Sequence, residues 1–149
     1  MVDKSAVGLE SPPVTMPVER GKIREFARAT MTENQAYLDE REPVSPPTFL
    51  TTLNFWMSGD DSPVSKVGLD LKRLLHGGQE YVFHGPPPRA GTELTATTRV
   101  DDIYEKEGKR GGTMTFVVAV TEFRDPSGTL IAEARSTAIE TGRAPEGER

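Results

Sequence analysis

The amino-acid sequence predicts an α+β domain in which a curved antiparallel sheet wraps a central helix. Three observations carry that expectation. An apolar period of 3.6 residues runs over 19–30, the period becomes two after Gly78, and clusters of Gly, Pro and Asp separate the alternating stretches. At 149 residues, with 35% hydrophobic and 28% charged residues, the chain has the size and composition of one domain with a single core.

Element by element, 14–18 has the pattern of a first strand. In 19–30 the residues Ile23, Phe26, Ala27 and Thr30 follow i, i+3, i+4, i+7, and Glu19 stands where the helix dipole favours an anion, so an amphipathic helix is expected. The polar stretch TENQAYLDEREPVSPP ends in Pro46 and Pro47 and is expected to form a loop. Phe49, Leu50, Leu53, Phe55 and Trp56 then supply a large apolar payload, which fits a buried helix starting near Pro47; a strand is the competing assignment. SGDDSP breaks it, and VSKVGLDLKRLLHGG reads as a short mixed segment ending at a glycine pair.

Beyond that pair, 79–84, 93–100, 113–123 and 130–139 read as strands. EKEGKRGG and DPSG supply the residues that tight connections need, so the last three strands form an antiparallel meander. In the final strand Ala132, Ala134 and Ala138 share one face, opposite Ile131 and Ile139, and a face of alanines lets a covering element approach closely. The single domain, 1–149, is expected to be ordered over about 7–141 with mobile ends, the tail GRAPEGER among them.

Composition excludes several function classes. No apolar run approaches the ~18 residues of a membrane span, and the N-terminal stretch lacks the apolar core of a secretory signal, so a cytoplasmic protein is expected. There is no cysteine, and two histidines, His76 and His84, leave too few ligands for a typical zinc site; neither metal nor cofactor is expected. A net charge of −5 argues against a nucleic-acid partner. GKRGGT lacks the spacing of a phosphate loop, and neither Gly-x-Ser-x-Gly nor His-Glu-x-x-His is present.

The stretches VGLESPPVTMPVERGKIREFARAT, PVSPPTFL, LHGGQEYVFHGPPPRAGTELTATTRV, YEKEGKRGGTMTFVVAVTEF and LIAEARSTAIET, in this order and spacing, resemble the MaoC-like dehydratase N-terminal domain family, which has the hot-dog fold. The resemblance covers nearly the whole chain. It implies a subunit of an (R)-3-hydroxyacyl-thioester dehydratase or enoyl-CoA hydratase, acting on an acyl thioester of CoA or acyl carrier protein.

Hydration of an enoyl thioester needs a base, an acid and donors to the developing enolate oxygen. Catalytic members of the wider family carry the first two in a Gly-Asp-x-Asn-Pro-x-His pattern. Laid on this chain, the pattern keeps Asn34 but puts Thr32 in the aspartate's place, Gln35 in the proline's and Tyr37 in the histidine's; Asp39 follows. A hydroxyl cannot serve as a carboxylate base, and a phenol is a weak base at neutral pH. The resemblance therefore implies no catalytic residue here and a substrate-binding set of Asn34, Tyr37, Thr48, Phe49 and His76, with the Thr48 amide as donor to the thioester carbonyl.

Each of these residues has a plainer reading. Thr32 and Tyr37 can be ordinary loop residues, His76 a solvated histidine ahead of a strand, and His84 a structural residue at a strand end. Phe49, Leu53, Phe55 and Trp56 can line an acyl tunnel or simply be core, and Lys106, Lys109 and Arg110 can steer an acidic partner or face solvent. The expected partner is a hot-dog subunit carrying the missing Asp and His, in a heterodimer or heterotetramer. The alternatives are a homodimer that holds acyl thioesters without chemistry, or a thioesterase using Glu33 as base.

Overall fold

The computed structural model describes residues 2–38, 41–108 and 112–142. Five antiparallel strands form one sheet: β1 (Val14–Pro17), β2 (Leu74–Phe83), β3 (Glu93–Glu107), β4 (Thr113–Arg124) and β5 (Leu130–Glu140), in the order β1-β3-β4-β5-β2. The β3-β4-β5 meander is the one that the turn residues predict. Between β4 and β5 the Asp125 carboxylate accepts the amides of Ser127 and Thr129, both at 2.9 Å, while Gly128 takes the positive φ of 85° that this turn requires.

One face of the sheet is covered. Helix α1 (Arg20–Ala29) buries Ile23 and Ala27, and a 3₁₀ segment, Phe49–Phe55, buries Phe49, Leu50, Thr52 and Leu53. The rings of Phe26 and Phe49 meet edge to face at 5.7 Å, joining the two covering elements. Beneath them Met16, Leu94, Ala96, Phe123, Ala132 and Ala134 complete the larger core. The alanine face of β5 is the covered face, as its small side chains imply. A smaller core of Ala6, Val67, Val100, Ile103 and Val117 lies under the 3₁₀ turns Lys4–Ala6 and Pro63–Val67. The chain ahead of residue 7 thus packs onto the sheet, with the Asp3 amide donating to the Val67 carbonyl at 2.9 Å.

Three details differ from the sequence reading. The central segment is a 3₁₀ run rather than an α-helix, and it ends at Trp56. Of its expected apolar payload, Phe55 is 76% exposed and Trp56 37%. Strand β2 starts at Leu74, ahead of the glycine pair, and β3 continues past Val100 to Glu107. The polar loop after α1 contains one short helix, α2 (Gln35–Leu38).

Both strand extensions have one cause, a β-bulge. The register slips between His76 and Gly78 on β2 and between Val100 and Asp102 on β3. Each extra residue resets the two-residue alternation that marks a strand in sequence, so the pattern stops where the strand does not. On β2 the bulge keeps His76 on the inner face with Gln79 and Tyr81. A regular strand would put His76 and Gln79 on opposite faces. Space at the bulge favours a glycine: a Cβ on Gly77 would stand 2.6 Å from the Ile139 Cδ1, which would have to move, and 3.2 Å from the Thr137 carbonyl oxygen.

Two polar groups tie the periphery down. Glu140, 7% exposed, accepts from the Asp70 amide and from the Arg73 guanidinium, both at 2.7 Å, and Arg73 also pairs with Asp70 at 2.9 Å. This fixes the 3₁₀ turn Leu71–Arg73 to the end of β5. On the outer face, Asp101 at the β3 bulge accepts from Arg99 at 2.7 Å and Arg135 at 3.0 Å. The hydrogen bond from Arg99 is the main reason its carboxyl ionises below the ordinary 3.8; burial opposes the shift and Arg135 adds to it.

Three outcomes follow from this packing. Glu140→Ala, which removes the acceptor of two part-buried donors, lowers the unfolding free energy by about 1–2 kcal/mol in urea titrations. Gly77→Ala costs about 1–3 kcal/mol by the same measurement, and Ile139→Ala in the same chain recovers part of the loss. Asp101 has a depressed folded-state pKa, so its contribution is complete above the unfolded-state value and vanishes as pH falls through and below it. Thermal scans from neutral pH to about pH 3 therefore show a shallower acid loss of Tm for Asp101→Asn than for the native chain.

Candidate functional site

The inner face of the sheet is not uniformly apolar. Register aligns Tyr81, Ala134, Thr121 and Thr98 in one row across β2, β5, β4 and β3, and Gln79, Ser136, Ala119 and Val100 in the next. The Thr98 and Thr121 hydroxyls hydrogen-bond at 2.8 Å. These rows make a band with polar members between the two cores. The cover is interrupted above it, since the Phe49–Phe55 and Pro63–Val67 segments are separate pieces joined through the SGDD sequence.

The interruption leaves a cavity of about 320 Å³. Its apolar wall is Leu50, Leu53, Phe123 and Ala134; its polar groups are Thr51 and Asn54 from the cover and His76, Gln79, Tyr81, Thr121 and Ser136 from the sheet. Desolvation pushes the Tyr81 phenol above its ordinary pKa, against the opposing effect of a hydrogen bond with Thr51. Tyr81 therefore keeps its proton at neutral pH and serves as a hydrogen-bonding group rather than a base. The cavity offers hydroxyls, amides and one imidazole around an apolar floor, so it can hydrogen-bond a polar group while its floor covers an apolar one.

Of the five substrate-binding residues expected from the sequence, His76 lines this cavity. Phe49 is fully buried against Phe26, and Leu53, rather than Phe55 or Trp56, faces the cavity. Thr48 caps the 3₁₀ segment, is exposed, and has no backbone hydrogen bond from its amide among the described residues. In the loop after α1 the Thr32 hydroxyl accepts from the Asn34 amide at 3.3 Å, the Asn34 side chain accepts from the Ala36 amide at 3.0 Å, and Tyr37 packs against the larger core. Asp39 lies outside the described residues, as do Lys109, Arg110 and the tail at 143–149. Lys106 stands over the stacked rings of Tyr104 and Phe116, 5.0 and 5.4 Å from their centroids.

A carboxylate and an imidazole do meet elsewhere. The His84 Nε2 and the Glu133 Oε2 are 2.8 Å apart, with side chains 40% and 34% exposed. Glu133 is the register partner of Val82, whose neighbours Tyr81 and Phe83 point inward, so the pair lies on the outer face, across the sheet from the cavity. Among the described residues no group of three or more His, Asp or Glu could hold a metal ion, and no helix is long and apolar enough to cross a membrane.

The polar residues Thr51, Asn54, Gln79, Tyr81, Thr121 and Ser136 were not singled out by the sequence. They come from four separate stretches of chain, and the one local signal for their convergence is the Gly77–Gly78 pair that marks the bulge.

Comparison with known proteins adds identity to this geometry. Residues 5–134 match the family model described as the FAS1-like dehydratase domain region. A UPF0336 protein of Saccharopolyspora erythraea is 34% identical over 160 residues, spanning 99% of this chain and 97% of that protein. Among solved structures, a chain of the C-terminally truncated HadBC (3R-hydroxyacyl-ACP dehydratase) complex of Mycobacterium tuberculosis superposes with a TM-score of 0.72 at 26% identity, over 90% of this chain and 96% of that one. A MaoC-like dehydratase gives a TM-score of 0.77 at 20% identity, over 92% of this chain and 42% of that one. A single-layer antiparallel sheet around a central segment, matched along nearly its full length, makes this chain a hot-dog protein that belongs to the FAS1-like dehydratase-region family.

Proposed function

We propose that this chain is the acyl-binding subunit of a heteromeric (R)-specific 3-hydroxyacyl-thioester dehydratase or enoyl hydratase. In this reading it works in the cytoplasm on CoA or carrier-protein thioesters, and a partner hot-dog chain supplies the catalytic aspartate and histidine. The resemblance puts Thr32 and Tyr37 in the places of the catalytic aspartate and histidine, and what supports the reading is that both are used locally, Thr32 in a turn and Tyr37 against the core. The cavity under the Phe49–Phe55 segment has donors and acceptors but no carboxylate among its lining residues, and none of those residues comes from this loop. It can orient a substrate, and it lacks the carboxylate that the resemblance pairs with a histidine in catalytic members.

The sheet edges support a partner. β1 is four residues long and ends in Pro17, a blunted edge, while β2 is ten residues long and, among the described residues, pairs only with β5. Among the described residues no backbone hydrogen bond reaches its other side, and Leu75 and Val82 on this strand are 49% and 42% exposed. A strand added there lies next to His76 and Gln79 at the cavity, which is where a partner's loop must reach to act on a bound acyl group. The HadBC chain that this one resembles is part of a complex described as a 3R-hydroxyacyl-ACP dehydratase, which supports a partner chain. A second copy of this chain on the same edge is the homodimeric alternative, which gives binding without chemistry. Glu33, the base of a thioesterase reading, is exposed and is not among the cavity's lining residues.

The test is reconstitution. Purified alone, the chain binds a hydrolysis-resistant acyl thioester but does not hydrate crotonyl or longer enoyl thioesters; isolated from its host, it brings a hot-dog partner identified by mass spectrometry. In the assembled enzyme, replacing the partner's aspartate or histidine lowers kcat by about 10²-fold or more, whereas Thr32→Ala and Tyr37→Phe change it by less than about threefold. Hydration by the isolated chain at rates matching the assembled enzyme contradicts the proposal.

A further inference from the structure

Helix α1 is basic in an acidic chain. It holds Arg20, Lys22, Arg24 and Arg28 against one carboxylate, Glu25, while the whole protein has a net charge of −5. Lys22 has partners within the fold: its ammonium pairs with Glu25 at 2.7 Å and stands 5.2 Å from the centroid of the Phe55 ring. The three arginines are exposed, and among the described residues their side chains make no hydrogen bond or ion pair. Their spacing is i, i+4, i+8, so they form one row along the helix, about 12 Å from first Cα to last. Lys22, Glu25, Phe26 and Ala29 lie on the opposite flank, where they border a cavity of about 350 Å³ with the Phe49–Phe55 segment.

The needs of the helix do not explain this row. Like charges at i, i+4 destabilise a helix, and Arg20 in the first turn opposes the dipole; of the three, only Arg28, in the last turn, is favoured by it. Just past the row, Met31 takes the positive φ of 55° at which a helix end ordinarily has glycine, and its side chain is 88% exposed. Three arginines and an apolar side chain are thus presented to the outside at a cost to the helix. The planar fork of arginine takes a carboxylate through two parallel hydrogen bonds, and a partner helix with carboxylates at i, i+4 matches the row residue for residue. A polyanion that continues past the row, a nucleic acid or an anionic bilayer, is a poorer match, because Glu19 and Glu42 border the surface at the Arg20 end. We infer that α1 is a docking surface for an acidic helix, and that this helix belongs to a carrier protein that delivers the acyl thioester. The inference rests on the acyl-binding reading above and selects a carrier protein over CoA. The row is about one helix diameter, 10–12 Å, from the 3₁₀ segment whose Thr51 and Asn54 line the 320 Å³ cavity, a distance that a carrier's flexible prosthetic arm can span.

The probes are the host's acyl carrier protein, unloaded or loaded through a thioether analogue of an acyl group, and the same analogue on CoA. Calorimetry follows their binding to the full chain, alone and in the assembly it co-purifies with. Arg24→Glu weakens the loaded carrier by about tenfold or more and leaves the CoA analogue within about twofold. The triple variant Arg20→Gln, Arg24→Gln, Arg28→Gln weakens the carrier in the same selective way, and its residual affinity depends less on salt than that of the native protein. Removing like charges from an exposed row leaves the urea midpoint unchanged or raises it, so a loss of binding is not a loss of fold. A carrier in which one carboxylate of the docking helix is replaced by lysine recovers affinity for Arg24→Glu. Equal weakening of carrier and CoA analogues, or no weakening of either, overturns the docking surface while the acyl-binding reading stands. Binding of the unloaded carrier that Arg24→Glu abolishes, with neither thioether group engaged, keeps the docking surface and removes the acyl-binding reading. Binding of duplex DNA or of phosphatidylglycerol vesicles that needs the arginines, without binding of the carrier, overturns the choice of partner, and no binding of any probe removes both readings.

Discussion

The structure is governed by the need to cover one face of a twisted antiparallel sheet with a segment that cannot run unbroken across it. Val14, Met16, Leu94, Ala96, Phe123 and Ala132 must be kept from water, and α1 with the Phe49–Phe55 run does so over one half of the face. Burying side chains such as Phe49 and Phe123 contributes about 1.5–3 kcal/mol each, which makes this half the anchor of the domain. Beyond Trp56 the sequence SGDDSP cannot extend an apolar cover, and the next piece, Pro63–Val67, sits over the smaller core. The space between the pieces falls over Thr121, Ser136 and Gln79, side chains that do not require a dry environment. The break in the cover, the polar band and the cavity are therefore one feature seen from three sides.

The two bulges shape the same region. One lies on β3 between Val100 and Asp102 and the other on β2 between His76 and Gly78, at the same level on either side of the β4–β5 pair. Bulges strengthen local twist and bend a strand. Here the β2 bulge also turns a histidine to the inner face, beside Gln79 and Tyr81. A fold that many proteins share thus acquires an individual site through one extra residue in an edge strand.

Much of this was legible in the chain. The 3.6-residue period of Ile23, Phe26 and Ala27 found α1, the two-residue period found the strands, and Asp125-Pro126-Ser127-Gly128 found the tight turn. The alanine face of β5 pointed correctly to a close cover. What escaped is what local patterns cannot carry. A bulge resets the alternation, so Leu74, Leu75 and His76 did not read as strand, and the Gly77–Gly78 pair read as a break. The Phe49–Phe55 run has the apolar content of a helix, but its 3₁₀ winding leaves Phe55 and Trp56 facing out. Glu140 and Arg73 are far apart in sequence, and nothing near either residue announces the other. Of the site, His76 was anticipated, while its cavity neighbours come from distant strands that only the register brings together.

The central claim is a division of labour, with this chain holding the acyl group and another supplying the acid and base. A crystal structure of the assembled protein with a stable 3-hydroxyacyl thioester analogue tests it most directly. The account predicts that the acyl group lies against Leu53, Phe123 and Ala134, with the partner's carboxylate and imidazole at hydrogen-bonding distance from the 3-hydroxyl. A carboxylate and an imidazole that both come from this chain and both reach that hydroxyl would contradict it.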